Sequence, residues 1–367
     1  MEFDELAELL KQLVAIDSVN PDLIPGAAGE AEIARFVARW LEDAELEVEV
    51  DEVSPGRPNV VGIARGKGGG RSLMLNAHMD TVGVAGMERP FEPYVEDGRM
   101  YGRGAYDMKA SLAAIMLAGA AAAKAGFRGD VLVTAVVDEE VASIGTQAIA
   151  RRYRADAAIV SEPTGMEVAV AHKGFAAFEI EVEGRAAHGS RPDLGVDAIA
   201  RMGHVLVRLE ELDRTLRANP SHPLLESGSV HGSLIEGGQE YSSYPERCIL
   251  KGERRTIPGE RLELVENELA ELLGELDGSV RVAFAREPFE IGRDEPIVEL
   301  VRRLAGGAET IGVPFWADSA LLAGAGIPTV VFGPGGDGAH AVVEWVDLEQ
   351  AQRCAEIYLA VARELCA

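Results

Sequence analysis

The first half of the chain alternates between helical and strand-like patterns of apolar residues. The predicted helices are 4–16, 27–43, about 107–125 and 143–152, and the predicted strands are 46–53, 58–65, 72–77, 131–137 and 157–160. The run at 131–137 is almost continuously apolar, which is typical of a central strand covered on both faces. Strands that alternate with helices predict an α/β layer with a mostly parallel mixed sheet flanked by helices.

From about residue 174 the strand pattern changes to alternation of apolar and polar residues. The predicted strands are 175–183, 228–236, 246–254 and 280–285, and the predicted helices are 195–211 and 260–274. This order predicts a compact α+β sandwich of the ferredoxin-like kind. After residue 287 the first pattern returns, with a buried strand at 328–332. The sequence therefore predicts one domain formed by 1–173 and 287–367, interrupted by an inserted domain at 174–286.

Composition and charge exclude several classes of protein. The 367 residues include 61 acidic and 35 basic side chains, a formal net charge of −26, which argues against binding of nucleic acid or an anionic membrane. No apolar run is expected to span a membrane, and the acidic N-terminus is unlike a signal peptide, so we expect a cytoplasmic protein. The three cysteines are too few and too scattered for a disulfide framework and are expected to be free thiols.

Candidate metal ligands follow several predicted strands. His78 closes the strand at 72–77, and Asp80 lies two residues further on, where its carboxylate could accept a hydrogen bond from one ring nitrogen of His78. A lone histidine is more often structural than a ligand. Asp107 stands at the start of a predicted helix, where it could cap the helix or bridge two cations through its two oxygens.

The remaining candidates occupy equivalent positions after later strands. Glu139 and Glu140 come directly after the apolar run, Glu162 follows the strand at 157–160, and His340 follows the strand at 328–332. Adjacent carboxylates could form a solvated acidic loop, but the carboxyl edge of an α/β sheet is where ligands bind. Two histidines and three carboxylates suit zinc, with cobalt or manganese as alternatives. A shared carboxylate would place two ions roughly 3.5–4 Å apart.

These motifs, taken together, resemble the family of dizinc exopeptidases and deacylases. That family includes acetylornithine deacetylase, succinyl-diaminopimelate desuccinylase, aminoacylase and glutamate carboxypeptidase. The resemblance covers essentially the whole chain. The matching motifs, in family order, are His78-Met79-Asp80, Gly102-Arg103-Gly104, Asp107-Met108-Lys109, Asp138-Glu139-Glu140, Ser161-Glu162-Pro163-Thr164 and His340.

The resemblance implies a role for each residue of the candidate site. It assigns His78, Asp107 and Glu162 to one metal ion, and Asp107, Glu140 and His340 to the other. It makes Glu139 the general base and Asp80 the orienting partner of His78. It also implies a cis peptide bond between Asp107 and Met108. The domain formed by 1–173 and 287–367 would then be the catalytic dinuclear-metal domain.

Two residues of the inserted domain also match the family. His188 resembles the histidine that reaches into the active site of the neighbouring subunit and donates a hydrogen bond to the developing oxyanion. Arg255 resembles the arginine that binds the substrate carboxylate. From sequence alone, an exposed loop histidine and a surface arginine are the plainer interpretations. The resemblance implies a homodimer formed through the inserted domain, which could also close as a lid.

The sequence therefore predicts a metal-dependent hydrolase of N-acylated amino acids or short peptides, most similar to acetylornithine deacetylase. Within this class the alternatives are a desuccinylase of succinyl-diaminopimelate and a carboxypeptidase or dipeptidase. From other classes we consider a catalytically inactive binding protein with this fold, and a phosphoesterase, since two-metal sites also serve phosphoryl transfer. Neither the base nor any ligand is missing from the sequence, which favours catalysis.

Overall fold

The computed structural model describes residues 3–367, and the chain forms two compact units. The first unit contains residues 3–170, 291–311 and 317–367, and the second contains Ala171–Glu290 and Gly312–Trp316. The predicted inserted domain, 174–286, lies inside the second unit. Its proposed roles in dimerisation and closure stay predictions.

The helices combine apolar faces with local capping. Within residues 3–367 they are α1 (Phe3–Val14), α2 (Ala31–Asp43), α3 (Ala110–Ala125), α4 (Ile144–Arg152), α5 (Ala198–Ala218), α6 (Leu262–Leu273), α7 (Pro296–Leu304), α8 (Ser319–Gly324) and α9 (Leu348–Leu365). In α2 the residues at helical spacing, Ile33, Val37 and Leu41, are buried. The side chain of Asp347 caps α9 by accepting a hydrogen bond from the Gln350 amide.

The strands are also numbered in the order in which they occur along the chain. They are β1 (Glu47–Ser54), β2 (Arg57–Ala64), β3 (Leu73–His78), β4 (Tyr94–Glu96), β5 (Arg99–Tyr101), β6 (Val131–Val136), β7 (Ala157–Val160), β8 (Val168–His172), β9 (Gly174–Glu183), β10 (Ser229–Gly237), β11 (Arg247–Thr256), β12 (Gly278–Arg286), β13 (Phe289–Glu290), β14 (Thr310–Val313), β15 (Thr329–Val331), β16 (Gly336–Asp337) and β17 (Trp345–Asp347).

The first unit is built on a large mixed sheet. Its strands lie in the order β1-β2-β6-β3-β7-β15-β8. The four central strands, β6, β3, β7 and β15, pair in parallel, whereas the pairs at either side are antiparallel. All residues of β3, β6, β7 and β15 are buried, as expected for strands covered on both faces. The mixed sheet is confirmed, and its parallel part is confined to the centre.

A smaller sheet in the first unit has the order β16-β17-β5-β4. Its strands β5 and β17 are antiparallel, with Tyr101 opposite Trp345. This pairing brings a segment before α3 next to a segment near the end of the chain. Both segments adjoin candidate metal ligands.

The second unit has the predicted order of strand, helix, strand, strand, helix, strand. Its sheet has the strand order β10-β11-β9-β12, and every pair in it is antiparallel. Alternate residues of β9 are buried, which matches the alternation read from the sequence. Its core combines apolar side chains of the sheet and of α5 and α6, including Phe178, Met202 and Leu269. The ferredoxin-like topology is therefore present.

Two sequence expectations need correction around α3. The helix begins at Ala110, after an irregular turn at Ala105–Lys109, and Asp107 within that turn has non-helical dihedral angles. The segment Ala105–Ala125 is also long and apolar enough to span a membrane, although no such run was expected. In this structure 72% of its apolar window is buried inside the protein.

Candidate metal centre

Parallel strands carry several candidate side chains to one edge of the large sheet. His78 is the last residue of β3, Glu139 and Glu140 follow β6 closely, and Glu162 follows β7. Because β6, β3 and β7 are parallel neighbours, their carboxyl ends meet at the same edge. His78 Nε2 lies 3.7 Å from Glu162 Oε1 and 4.0 Å from Glu139 Oε2. The structure thus brings these predicted residues together.

Asp107 reaches this edge from the irregular turn before α3. Its peptide bond to Met108 is cis, as the family resemblance implied. Since Lys109 directly precedes α3, Asp107 does not cap that helix. Its Oδ1 lies 3.2 Å from Nε2 of His78, and its Oδ2 lies 3.4 Å from Nε2 of His340. The carboxylate therefore lies between two imidazoles and offers one oxygen to each.

His340 completes the cluster from the loop between β16 and β17. Its backbone is left-handed, with φ of 62°, and its side chain is 55% exposed. Nε2 of this ring lies 3.1 Å from Oε2 of Glu140. His340 is thus the most solvent-accessible of the clustered residues, whereas the side chain of His78 is only 1% exposed.

The orientation of His78 differs from the expectation. Its Nδ1 lies 2.9 Å from the backbone carbonyl oxygen of Asp80, whereas the nearer carboxylate oxygen of Asp80 is 3.6 Å away. A carbonyl oxygen only accepts, so Nδ1 donates this hydrogen bond, and Nε2 becomes free to bind a metal ion once it has given up its own proton. Nε2 faces Asp107 and Glu162, which is the orientation that a metal ligand requires. Asp80 thus orients His78 through its main chain.

The carboxylate of Asp80 holds the acidic turn instead. Its two oxygens accept hydrogen bonds from the amides of Glu139, at 3.1 Å, and Glu140, at 3.2 Å. Asn20 Nδ2 donates to Asp80 at 2.8 Å and to Asp138 at 3.1 Å. These bonds fix the backbone that carries the candidate base and a candidate ligand.

A buried arginine supports the same turn, and sequence reasoning missed it. Arg57 Nη1 lies 2.9 Å from Asp138 Oδ1, and Arg57 Nε donates to Glu30 at 3.0 Å. Asp138 has a left-handed backbone with φ of 69°, which is uncommon for residues other than glycine. Nothing local in the sequence marks Arg57 or Asn20, because their partners are far away along the chain.

The cluster holds an excess of buried negative charge. Burial raises the pKa of the Glu139 and Glu162 carboxyls well above the usual value. Burial would also raise the pKa of Asp107, but hydrogen bonds from His340 and His78 outweigh it and lower the pKa. Hydrogen bonds to Asp107 and Glu140 in turn raise the pKa of His340 to about 10. Bound divalent cations would compensate this charge.

The donor set fits divalent metal ions. Oε1 of Glu140 is buried and has no hydrogen-bond partner within residues 3–367, although buried carboxylate oxygens are almost always paired. Potential ligand atoms lie within 4.8 Å of one another in two groups, which are His78, Glu139 and Glu162, and His78, Asp107 and Glu140. Imidazole nitrogens and carboxylate oxygens without cysteine suit zinc, cobalt or manganese.

A further buried carboxyl group was not predicted. Asp318, which directly precedes α8, is 1% exposed, and its Oδ2 accepts a hydrogen bond from Thr146 Oγ1 at 2.6 Å. Burial raises the pKa of Asp318 to about 6. This side chain therefore resists ionisation more than an exposed aspartate does.

The two remaining predicted residues belong to the second unit. His188 is exposed, and its Nδ1 lies 2.9 Å from the hydroxyl of Ser190. Arg255, on β11, donates to Glu253 at 2.6 Å and lies over the ring of Phe175. The adjacent Arg254 is fully buried and paired within its own unit, so Arg255 is the more accessible of the two.

Known proteins share this organisation. Residues 74–364 match the model of peptidase family M20/M25/M40. The acetylornithine deacetylase of Myxococcus xanthus is 31% identical over 98% of this chain and 97% of its own length. A tripeptidase from Staphylococcus aureus Mu50 has the same fold, with a TM-score of 0.84 at 22% identity over 100% of this chain and 99% of that one.

A dinuclear metal-binding peptidase of the M20 family from Bacillus subtilis also has this fold. Its TM-score is 0.71 at 17% identity, over 100% of this chain and 99% of that chain. The family match spans all five candidate ligands as well as Glu139. By this match, which covers most of its length, the chain belongs to peptidase family M20/M25/M40.

Proposed function

We propose that this protein is a metal-dependent hydrolase that cleaves the amide bond of an N-acylated amino acid. The position of Asp107 between His78 and His340 carries this proposal, because each imidazole faces a different oxygen of one carboxylate. Family membership and the deacetylase from Myxococcus xanthus support the same reaction class.

The proposed site holds two divalent ions, with zinc as the native metal and cobalt or manganese as alternatives. His78, Asp107 and Glu162 would hold one ion, and Asp107, Glu140 and His340 the other. When bound, such ions polarise the substrate carbonyl and lower the pKa of the attacking water.

Glu139 is the proposed general base. Its carboxylate adjoins the candidate ligands and is only 11% exposed. One of its oxygens takes a proton from the attacking water, whose oxygen bonds to the carbonyl carbon of the amide. The same group then delivers that proton to the amide nitrogen as the carbon–nitrogen bond breaks, which releases the amine. The hydrogen bond from the Glu139 amide to Asp80 keeps the Glu139 backbone fixed during both transfers.

Residues of the second unit are proposed to bind the substrate and to complete the site. The planar guanidinium of Arg255 would bind the carboxylate of the amino acid. His188, from a partner subunit, would donate a hydrogen bond to the developing oxyanion. Exposed apolar side chains on α5 and β10 support a homodimer formed through this unit, namely Ile199, Leu206, Val207, Leu234 and Ile235.

The proposed substrate is N-acetylornithine or a close relative, since a full-length relative is an acetylornithine deacetylase. The alternatives are succinyl-diaminopimelate and short peptides, and a tripeptidase with this fold keeps the peptidase alternative open. A panel of N-acetyl, N-succinyl and dipeptide substrates, assayed with zinc- or cobalt-loaded protein, separates them. We expect the fastest turnover with an N-acetyl amino acid.

The same panel tests whether the protein is catalytic. A non-catalytic binding protein would bind one of these compounds in calorimetry without releasing product. Zinc binding without hydrolysis of any panel member would contradict the proposed function. The presence of Glu139 beside the candidate ligands supports catalysis.

A further inference from the structure

One buried carboxylate organises the turn that carries Asp107. Glu344, which is 1% exposed, accepts hydrogen bonds from four donors. Its Oε2 accepts from Arg103 Nη1 at 2.6 Å and from the Gly104 amide at 2.9 Å. Its Oε1 accepts from the amides of Tyr106, at 2.9 Å, and Asp107, at 3.1 Å. Both oxygens of Glu344 are therefore saturated by this single turn.

Arg103 extends the contact to the loop that carries His340. Its Nη2 donates to the carbonyl oxygen of Ala341 at 2.9 Å, directly beside His340. The Gly102 amide also donates to the carbonyl oxygen of Glu344 at 3.2 Å. The guanidinium, which is 3% exposed, thus bonds to the side chain of Glu344 and to the backbone of the His340 loop at the same time.

A plain structural ion pair is the competing interpretation, since buried arginine–carboxylate pairs also stabilise loops. The placement of these hydrogen bonds favours a role in positioning the candidate ligands. One of them ends on the amide of Asp107 itself, and another ends one residue from His340. By contrast, His78 lies at the end of a fully buried strand of the central sheet, which fixes it without this pair.

We propose that Glu344 and Arg103 are positioning residues that fix the Asp107 turn and the His340 loop relative to each other. This inference rests on the proposed function, in which Asp107 and His340 hold a metal ion. Because His340 is largely exposed and lies on a loop, its place beside Asp107 depends on this contact. Loss of the contact weakens metal binding at the site formed with His340 more than metal binding at the site formed with His78 and Glu162.

Two variants separate this role from general stability. In Glu344→Gln an amide NH₂ replaces one carboxylate oxygen. This group cannot accept the hydrogen bonds that the oxygen accepts in the wild type. Arg103→Lys keeps the charge, but an ammonium group lacks the planar fork that reaches Glu344 and Ala341 together. The control is Glu268→Gln, which removes the negative charge from one partner of the fully buried Arg254 in the second unit.

Zinc titration of the metal-free proteins by calorimetry, together with urea unfolding, tests the inference without an activity assay. We expect the wild type and Glu268→Gln to bind two zinc ions alike. In Glu344→Gln and Arg103→Lys, one of the two ions should bind roughly 10- to 100-fold more weakly, which is typical when a partner that orients a ligand is lost. If Glu344→Gln does not fold, Arg103→Lys decides the outcome.

The possible failures are distinguishable. A wild-type protein that binds no zinc contradicts the proposed function itself. A wild type that binds two ions, with folded variants that bind both equally well, overturns only the positioning role. Equal weakening in Glu268→Gln also overturns it, because the loss would then follow general destabilisation.

Discussion

Oδ1 of Asp107 lies 3.2 Å from Nε2 of His78, with the cis peptide bond to Met108 directly after the aspartate. The other oxygen, Oδ2, faces His340 at 3.4 Å. Asp107 is therefore the candidate ligand that both proposed metal ions share. The account of the site depends on this one carboxylate.

Replacement of the shared carboxylate should remove both ions, whereas loss of a terminal ligand should remove one. We expect Asp107→Asn to weaken both zinc affinities by more than about 100-fold. This loss of affinity is larger than the one that follows removal of a residue that only orients a ligand. His340→Ala should weaken the binding of one zinc ion and leave the affinity for the other unchanged. Elemental analysis after gel filtration counts the retained ions, and two ions retained by Asp107→Asn would rule out the bridge.

Replacement of the candidate base should separate chemistry from metal binding. Glu139→Gln keeps the size of the side chain but cannot accept the proton of the attacking water. We expect kcat to fall by roughly 10²- to 10⁴-fold while the protein retains both zinc ions. Steady-state kinetics and metal content, measured on one preparation, check this. Near-normal turnover would show that another group moves the proton.

Arg57 should contribute to stability because it forms ion pairs with two buried carboxylates. Arg57→Met leaves Glu30 and Asp138 without their cation, and unpaired buried charges cost about 3–5 kcal/mol. Urea unfolding measures the change in the free energy of unfolding. The control is Arg303→Met, whose partner Glu364 is exposed, and it should unfold almost like the wild type. Equal effects of the two changes would contradict the buried network.

Asp318 should make stability depend on pH in a defined direction. Because burial raises its pKa from 3.8 to about 6, the folded protein binds this proton more tightly than the unfolded chain. That contribution to stability is present at low pH and is lost as pH rises towards the folded-state pKa. The Asp318→Asn variant has no carboxyl group to titrate at this position. Its side-chain oxygen can still accept the hydrogen bond from Thr146.

The stability of Asp318→Asn relative to the wild type should therefore increase with pH. Between about pH 4 and pH 6 the difference should grow by up to about 3 kcal/mol, since each pKa unit corresponds to about 1.4 kcal/mol. Urea unfolding of the metal-free proteins across this range measures it. A difference that stays constant with pH would show that Asp318 ionises normally.

Much of the fold was predictable because burial leaves a local pattern. The apolar run at 131–137 became β6, and the alternation at 175–183 became β9 with alternate residues buried. The site was predictable to the same extent, since parallel strands place their carboxyl ends together. His78, Glu140 and Glu162 were identified from that rule and do lie at one edge.

The supporting contacts were not predictable, because they join residues that are distant along the chain. Arg103 and Glu344 are separated by 241 positions, and Asn20 and Asp138 by 118. No local periodicity encodes such pairs. The hydrogen bond from His78 to the main chain of Asp80 was missed for a different reason. Spacing along a strand predicts which side chains share a face, but it does not indicate that a carbonyl oxygen will be the acceptor.

Anomalous diffraction at the zinc absorption edge, from crystals of the zinc-loaded protein, tests the central claim most directly. We expect two peaks roughly 3.5–4 Å apart, with one oxygen of Asp107 bound to each. A single peak, or a pair of peaks that Asp107 does not bridge, would contradict the account.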